Sequence, residues 1–272
     1  MKKLWDVLGP LIEAAWNDTL AKGELMPSDK TSLLRLIPKA GKDAKQLKNW
    51  RPITLSNCDH KLITRLYNKR LLKAINKYIS PTQTAYIKGR NIADNLRIVS
   101  AATNYANSAD DVNAKIVALD AQKAFDSVSH HYIAKVLTVV GLESFVPIFR
   151  LLYKGLENDI IINGEIKKGF KVNNGVKQGD ALSCSLFILA IEPVIRNIMN
   201  NTLITPLSCA RLNYTWPTVV AYADDITVIT QNMPESVSQI FDEYEGLTKA
   251  SGLALNAGKT EKFDLNSGNV HR

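Results

Sequence analysis

The spacing of apolar residues along the chain alternates between the period of strands and that of helices. A short apolar run, "SLLRLIP" (32–38), gives way to "KAGKDAKQLKNWRP", which is too polar and too interrupted by glycine and proline to be a core element. Ile63, Leu66, Tyr67, Leu71, Ala74, Ile75 and Tyr78 recur in steps of three and four, which predicts one apolar helix face ending before Pro81. A second helix is predicted from about Asn91 to Tyr105, with Ile92, Leu96 and Val99 inward. "KIVALD" (115–120) has the continuous apolar texture of a strand buried on both faces, and it stops at Asp120. The helix after it carries Ile133, Val136, Leu137 and Val140 on one face and is stopped by Gly141.

Further on, "DIIINGEIKKGFKV" (159–172) sets Asn163-Gly164 between β-type segments, a strong hairpin signal. The glycine-bearing loop "NNGVKQGD" leads into an apolar helix over 181–199, where Pro193 is expected to introduce a kink. "TVVAYADDITVIT" (218–230) reads as strand, tight turn, strand. Pro234 then opens a helix with Val237, Ile240, Phe241, Tyr244 and Leu247 inward, and Gly252 closes it. This order of elements implies an α+β fold with helices packed on one face of an antiparallel sheet.

Composition adds size and charge to this picture. With 272 residues and 46% apolar content, the chain can fill the core of one large domain or of two abutting subdomains. The formal charge of +8 is uneven, because residues 30–90 hold fifteen basic against two acidic side chains, net +13, and the remainder is acidic. Such a block suits a polyanion, and it equally suits a solvated lysine-rich face. Cys58, Cys184 and Cys209 are far apart and include no C-x-x-C, so neither a disulfide framework nor a zinc module is supported and a reducing compartment fits. No leader or membrane span is expected, since no apolar run approaches the ~18 residues a span requires.

The acidic residues carry the candidate chemistry. Asp224 and Asp225 are neighbours at a turn between buried strands. Unit charges ~4 Å apart repel by about 1 kcal/mol in water and about 4 kcal/mol at an effective dielectric of 20, so a counter-charge is required unless the turn is simply solvated. Asp120 ends its own strand, where an acid has no structural duty. If that strand pairs beside the "AYADD" hairpin, three carboxylates converge at one edge. Such a set suits Mg²⁺, which takes one or two carboxylates per ion together with water and phosphate oxygens. Two such ions serve in-line phosphoryl displacement.

Taken together, "ALDAQKAFDSV" (118–128), "NGVKQGDALSCSLF" (174–187), "AYADD" (221–225) and "GLALNAGKTE" (252–261) resemble, in order and spacing, successive motifs of reverse transcriptases. With "LIPKAGK" and "NWRPITLSN" (36–57) and "QTAYIKGRNIADN" (83–95), the chain most resembles the non-LTR, LINE-type retrotransposon members, over about residues 30–262. The resemblance implies a right-hand polymerase fold, with fingers at 1–110, palm at 111–272 and a thumb largely absent. It implies that Asp120, the backbone carbonyl of Ala121, Asp224 and Asp225 hold two Mg²⁺ ions, with Mn²⁺ as a substitute. Phe125 matches the aromatic under the sugar of the incoming nucleotide, which excludes a 2′-hydroxyl and so implies deoxynucleotide substrates. Gln178 and Gly179 match the loop lying against the nucleotide and template base. Lys39 and Arg51 match residues gripping the triphosphate, Arg90 adds a contact to nucleotide or template, and Lys259 matches a lysine that protonates departing pyrophosphate.

The implied activity is RNA-directed DNA synthesis on an RNA template and DNA primer with dNTPs, inside the cell, in nucleus or cytoplasm, and with no membrane partner. Two alternatives stand beside it. One is a truncated, catalytically inactive remnant that still binds nucleic acid. The other is a viral-type RNA polymerase, which places an aspartate where this chain has Phe125, with Asp126 one place later. The chain also departs from the common Pro-Leu-Ser-Pro of relatives, carrying Ala181-Leu182-Ser183-Cys184.

Overall fold

The computed structural model describes residues 4–109, 112–265 and 270–271. Helix α1 (Trp5–Lys22) and the single turn α2 (Pro27–Lys30) lead into strand β1 (Thr31–Pro38). The basic segment after it is the loop of a hairpin, because β2 (Trp50–Leu55) returns antiparallel to β1. Pro52, which has no N–H to give to a ladder, is tolerated because β2 is an edge strand. Helices α3 (Cys58–Ile75) and α4 (Ile92–Ser108) follow, then β3 (Ala114–Leu119), the short α5 (Ala124–Ser127), α6 (His130–Val139) and α7 (Val146–Tyr153). Of these, α7 has no counterpart in the sequence reading.

The predicted hairpin is β4 (Leu156–Ile162) and β5 (Glu165–Val172), closed by Asn163 at φ 51° and Gly164 at φ 83°, both in the left-handed region that such a turn demands. Its place in the fold joins strands from both sides of residue 110 in one sheet. Strand β4 pairs in parallel with β1, so 156–172 complete a four-stranded sheet of order β2-β1-β4-β5 with the N-terminal strands. The physical reason is that β2 covers only one edge of β1, and the other edge remains open for a strand from far along the chain. The boundary at 110/111 itself falls outside the described residues.

Helix α8 (Ala181–Asn200) is the centre of the core. Leu182, Leu186, Phe187, Ile188, Ile195 and Ile198 are fully buried, and α3, α6 and α9 (Pro234–Ser251) pack around it. A helix that is apolar on every side is stable in water only inside the molecule. By length and mean hydropathy (1.5) it also matches a membrane span, which amends the expectation that no run approaches one, yet 72% of that stretch lies inside the fold. Asp180 caps it by accepting from Leu182 N at 2.9 Å, and Pro193 is accommodated within it.

The two-residue strands β6 (Ser208–Cys209) and β7 (Tyr214–Thr215) precede the hairpin β8 (Val219–Tyr222) and β9 (Asp225–Gln231), and β10 (Glu261–Asp264) and β11 (Val270–His271) close the fold. The second sheet is antiparallel throughout, in the order β11-β10-β3-β9-β8. Alternation divides its faces. Val117, Leu119, Val219, Ala221, Ile226 and Val228 point into the helical core, while Ala114, Ile116 and Ile229 meet α4 and Trp216 in a smaller cluster on the opposite face.

The β4–β5 hairpin carries a register shift between Asn158 and Ile160, and a Cβ on Gly169 would lie 1.7 Å from the Asn158 carbonyl oxygen. Gly169→Ala therefore forces the bulge apart. Hydrogen exchange by mass spectrometry should quicken in β4, β5 and β1 together and leave β3 and β9 unchanged; faster exchange in β3 would contradict this sheet membership.

Candidate active site

The register of β3 against β9 runs to Leu119 opposite Ile226, so the next residue, Asp120, stands across from Asp225. In the β8–β9 hairpin Tyr222 pairs with Asp225, which leaves Ala223 and Asp224 as the two turn residues. By alternation Asp120 and Asp225 belong to the same face of the sheet. A second contact anchors Asp120 from below: its carbonyl accepts from Asn256 N at 2.8 Å, and Gln122 N donates to Ala254 O at 2.7 Å. Ala121 forms a bridge with Leu255 in the same seam. That seam brings Lys259 to the site, with Nζ 3.4 Å from Asp120 Oδ2. Burial, then the charges of Asp225 and Asp120, push the Asp224 carboxyl above its ordinary range, against the pull of Lys259. Burial and Asp120 push Asp225 the same way. The Tyr244 phenol is raised by burial and by Asp224 and Asp120, which places it under the same cluster.

The loop 173–180 packs beside this edge through backbone contacts. Gly175 N donates to Val128 O at 2.7 Å and Val176 N to Phe125 O at 2.6 Å. Gly175 has φ 82°, and a Cβ there would lie 2.7 Å from the backbone of Phe125 and Asp126, so only glycine permits the approach. Phe125 is half-buried and stacks on Phe187, with centroids 4.5 Å apart and planes at 16°. Gln178 Nε2 donates to both carboxylate oxygens of Asp126, at 3.1 and 3.2 Å, while its carbonyl accepts from Thr54 N of β2 at 3.0 Å. Gly179, at φ 108°, lies against the Thr54 carbonyl. The loop thus joins the two sheets.

Beneath the loop is a buried polar cluster that sequence reasoning missed. Lys177 Nζ is 3.5 Å from His60 Nε2, which is 3.9 Å from Asp180 Oδ2. Burial lowers Lys177 to about 8, and burial together with Lys177 lowers His60 to about 4, so His60 is neutral at pH 7 and its contact with Asp180 is not an ion pair there. A lysine between "NNGV" and "QGD" in a loop carries no signal of burial in its sequence.

The basic candidates divide. Lys39 follows β1, its N–H bonded to Asn49 O at 2.8 Å and its Nζ to Lys48 O at 3.1 Å. Arg51 is exposed on β2, paired with Ile37 in the ladder, and its side chain makes no hydrogen bond or ion pair to a described residue. Arg90 is turned inward: Nη1 donates to Ser80 O at 2.6 Å and Gln83 O at 2.7 Å, and Nη2 to Ile79 O at 3.2 Å. Its guanidinium organises the chain at 79–83 instead of standing open to a nucleotide.

Residues 37–268 match the family described as reverse transcriptase (RNA-dependent DNA polymerase). The chain belongs to that family. It is 30% identical over 261 residues to a transposon TX1 149 kDa protein of Xenopus laevis, covering 94% of this chain and 19% of that protein. It is 27% identical to a retrovirus-related Pol polyprotein of a type-1 retrotransposable element R2 of Popillia japonica, covering 85% of this chain and 31% of the relative. The chain therefore spans less than a third of these relatives, as a reverse transcriptase domain of the non-LTR retrotransposon kind. In fold it is similar to telomerase from Candida tropicalis, solved with a TWJ fragment of telomeric RNA, at a TM-score of 0.61 and 13% identity over 97% of this chain and 45% of that one.

Members of this family need a place for divalent cations, and the strand ends fit one. Asp120 Oδ2 is buried and accepts no hydrogen bond, with only the ion pair to Lys259 at 3.4 Å beside it, a setting that a divalent cation would suit. The side chains are less gathered than the sequence reading expected: among the described residues no three His, Cys, Asp or Glu groups stand close enough to share an ion. Like charges move apart unless something neutralises them, and Asp120 pairs with Lys259. The convergence therefore holds for the strand ends and not for a shared cluster of three carboxylates.

A carboxyl whose folded-state pKa is raised costs stability once pH exceeds its unfolded value, here the ordinary ~3.9 of aspartate. Asp224→Asn should thus raise the Tm of the metal-free protein at pH 7, by about 2–4 °C for roughly 1 kcal/mol of relieved repulsion. The gain should shrink to nothing as pH falls below the usual aspartate range, where the carboxyl is protonated folded and unfolded alike. A gain that persists in acid would show that the turn carries no electrostatic strain.

Proposed function

We propose that this chain is the polymerising unit of a reverse transcriptase, which extends the 3′-hydroxyl of a DNA primer along an RNA template. The observation that carries the reading is the β3–β9 register, which brings Asp120 level with Asp225 and next to the turn that carries Asp224. The reaction joins the primer 3′-oxygen to the α-phosphorus of a deoxynucleoside triphosphate and breaks the bond to the β-phosphate, releasing pyrophosphate. Two divalent ions, Mg²⁺ or Mn²⁺, supply activation of the attacking hydroxyl and neutralisation of the leaving oxygen.

The residues of the chain do the rest. Asp120, Asp224 and the Ala121 carbonyl would hold the cations, with Asp225 supporting. Lys259, 65% exposed while Asp120 is only 26% exposed, can leave its ion pair and give a proton to the departing pyrophosphate. Phe125, fixed on Phe187, presents a rigid ring where a ribose 2′-hydroxyl would otherwise fit. Asp126, one place after the ring, is tied to the 173–180 loop by Gln178. Arg51 and Lys39 on the β1–β2 hairpin reach for the triphosphate.

Purified protein should incorporate dTMP on a poly-rA template primed with oligo-dT. Asp224→Asn should abolish that incorporation, and Phe125→Ala should raise the use of ribonucleotides relative to deoxynucleotides. Binding of an RNA–DNA hybrid that weakens steeply with salt but never leads to extension would instead identify a nucleic-acid-binding remnant.

A further inference from the structure

The turn that carries Asp224 is held by a side chain from a distant part of the chain. Ala223 has φ 53°, a conformation that residues with a Cβ avoid, and it immediately precedes Asp224. The two-residue turn between Tyr222 and Asp225 demands a positive φ at its first position, but the β8–β9 ladder ends at that pair and offers Ala223 no partner for its own polar groups. Both backbone polar groups of Ala223 turn instead to one carboxamide. Its N–H donates to Gln83 Oε1 at 3.1 Å, and its carbonyl accepts from Gln83 Nε2 at 3.4 Å. Gln83 has no exposed surface and Ala223 only 4%, so water cannot replace either bond.

Gln83 is itself fixed from several sides. Its Oε1 also accepts from Ala85 N at 3.0 Å. The backbone around it pairs with β8, Thr84 N to Ala221 O and Ala221 N to Thr82 O, each at 3.0 Å. Asn95 Nδ2 ties Thr82 O, the Thr84 hydroxyl and Ala221 O together at 3.1, 3.0 and 2.9 Å. Behind these, Arg90 holds the carbonyls of Ser80 and Gln83, and Ser80 bonds to the buried Glu192 through its N–H at 2.9 Å and its hydroxyl at 2.6 Å.

We propose that Gln83 is a positioning residue for Asp224: its carboxamide sets the peptide of Ala223 and with it the direction in which the Asp224 carboxylate leaves the turn. This rests on the reading of Asp224 as a catalytic carboxylate. The chemistry of the side chain explains the choice of residue. An apolar side chain would fill the volume and leave the Ala223 N–H and carbonyl unpaired. A lysine or arginine would draw the carboxylates toward itself, and an ionised glutamate would add a fourth negative charge to three. A neutral amide both donates and accepts, and it leaves the charge of the site unaltered.

The test uses Gln83→Leu and Gln83→Glu in the full chain. In Gln83→Leu, exchange of the Ala223 amide should rise about fivefold or more while the β3 and β9 amides keep their protection. Affinity for Mn²⁺, followed by its electron paramagnetic resonance, should weaken by about tenfold, as expected when a group supporting a ligand is lost. In primer extension kcat should fall by roughly 100-fold with KM for dNTP and affinity for hybrid unchanged, the mark of misplaced chemistry. Gln83→Glu should recover kcat relative to wild type as pH is lowered, because a protonated carboxyl repeats the donor and acceptor of the amide. Unchanged Ala223 exchange overturns the proposal, as does faster exchange with wild-type Mn²⁺ affinity and kcat. If the wild-type protein extends no primer, the functional reading fails while exchange and Mn²⁺ binding still decide the role of Gln83; if it also binds no Mn²⁺, both fall.

Discussion

Carboxylates gathered at the end of a sheet repel one another, and the fold must hold them there by means other than neutralising them outright. Backbone pairing does most of this. The β3–β9 ladder is continuous from Ala114 to Leu119, and its last rung leaves Asp120 and Asp225 with no freedom to separate except by rotating side chains. The seam through Ala121 and Leu255 adds a second rail behind Asp120. Everything else near the site is arranged so that this register survives the charge it carries.

The groups nearest the acids are mostly neutral or distant. Amides of Gln83 and Asn95 hold the turn and its strand, and a single exposed lysine, Lys259, supplies a cation within reach of Asp120. The strong positive charge of residues 30–90 sits instead on the first sheet and on α3, on the other side of the loop that carries Gln178 and Gly179. That basic surface belongs to the first sheet and α3, whereas the acids stand at strand ends of the second sheet. The loop 173–180, bonded to Thr54 on one side and Phe125 on the other, keeps these two surfaces at a fixed separation.

Elements with strong local signals were legible in the chain. The Asn163-Gly164 turn, the Pro234 and Gly252 limits of α9 and the strand ending at Asp120 all depend on neighbouring residues, and each stands where its pattern placed it. What escaped was non-local. The partner of the β4–β5 hairpin lies more than a hundred residues away in β1, and no periodicity within either segment names the other. Arg90 looked like one more surface cation until its guanidinium met three carbonyls. Lys177 is buried beside His60 of α3, which nothing in its own loop sequence marks.

By itself the sequence determined which residues can ligate a cation, which strands and turns carry them, and that six motifs follow in the order of one polymerase family. Those properties are local, because a strand's period, a turn's φ requirement and a side chain's charge belong to residues a few positions apart. Tertiary structure alone decided which strand ends meet, that the carboxylate oxygens stay apart while their backbones adjoin, and that an amide from residue 83 shapes the turn at 223. Those outcomes are settled by the competition between buried hydrogen bonds and buried charge, which exists only once distant segments have excluded water together.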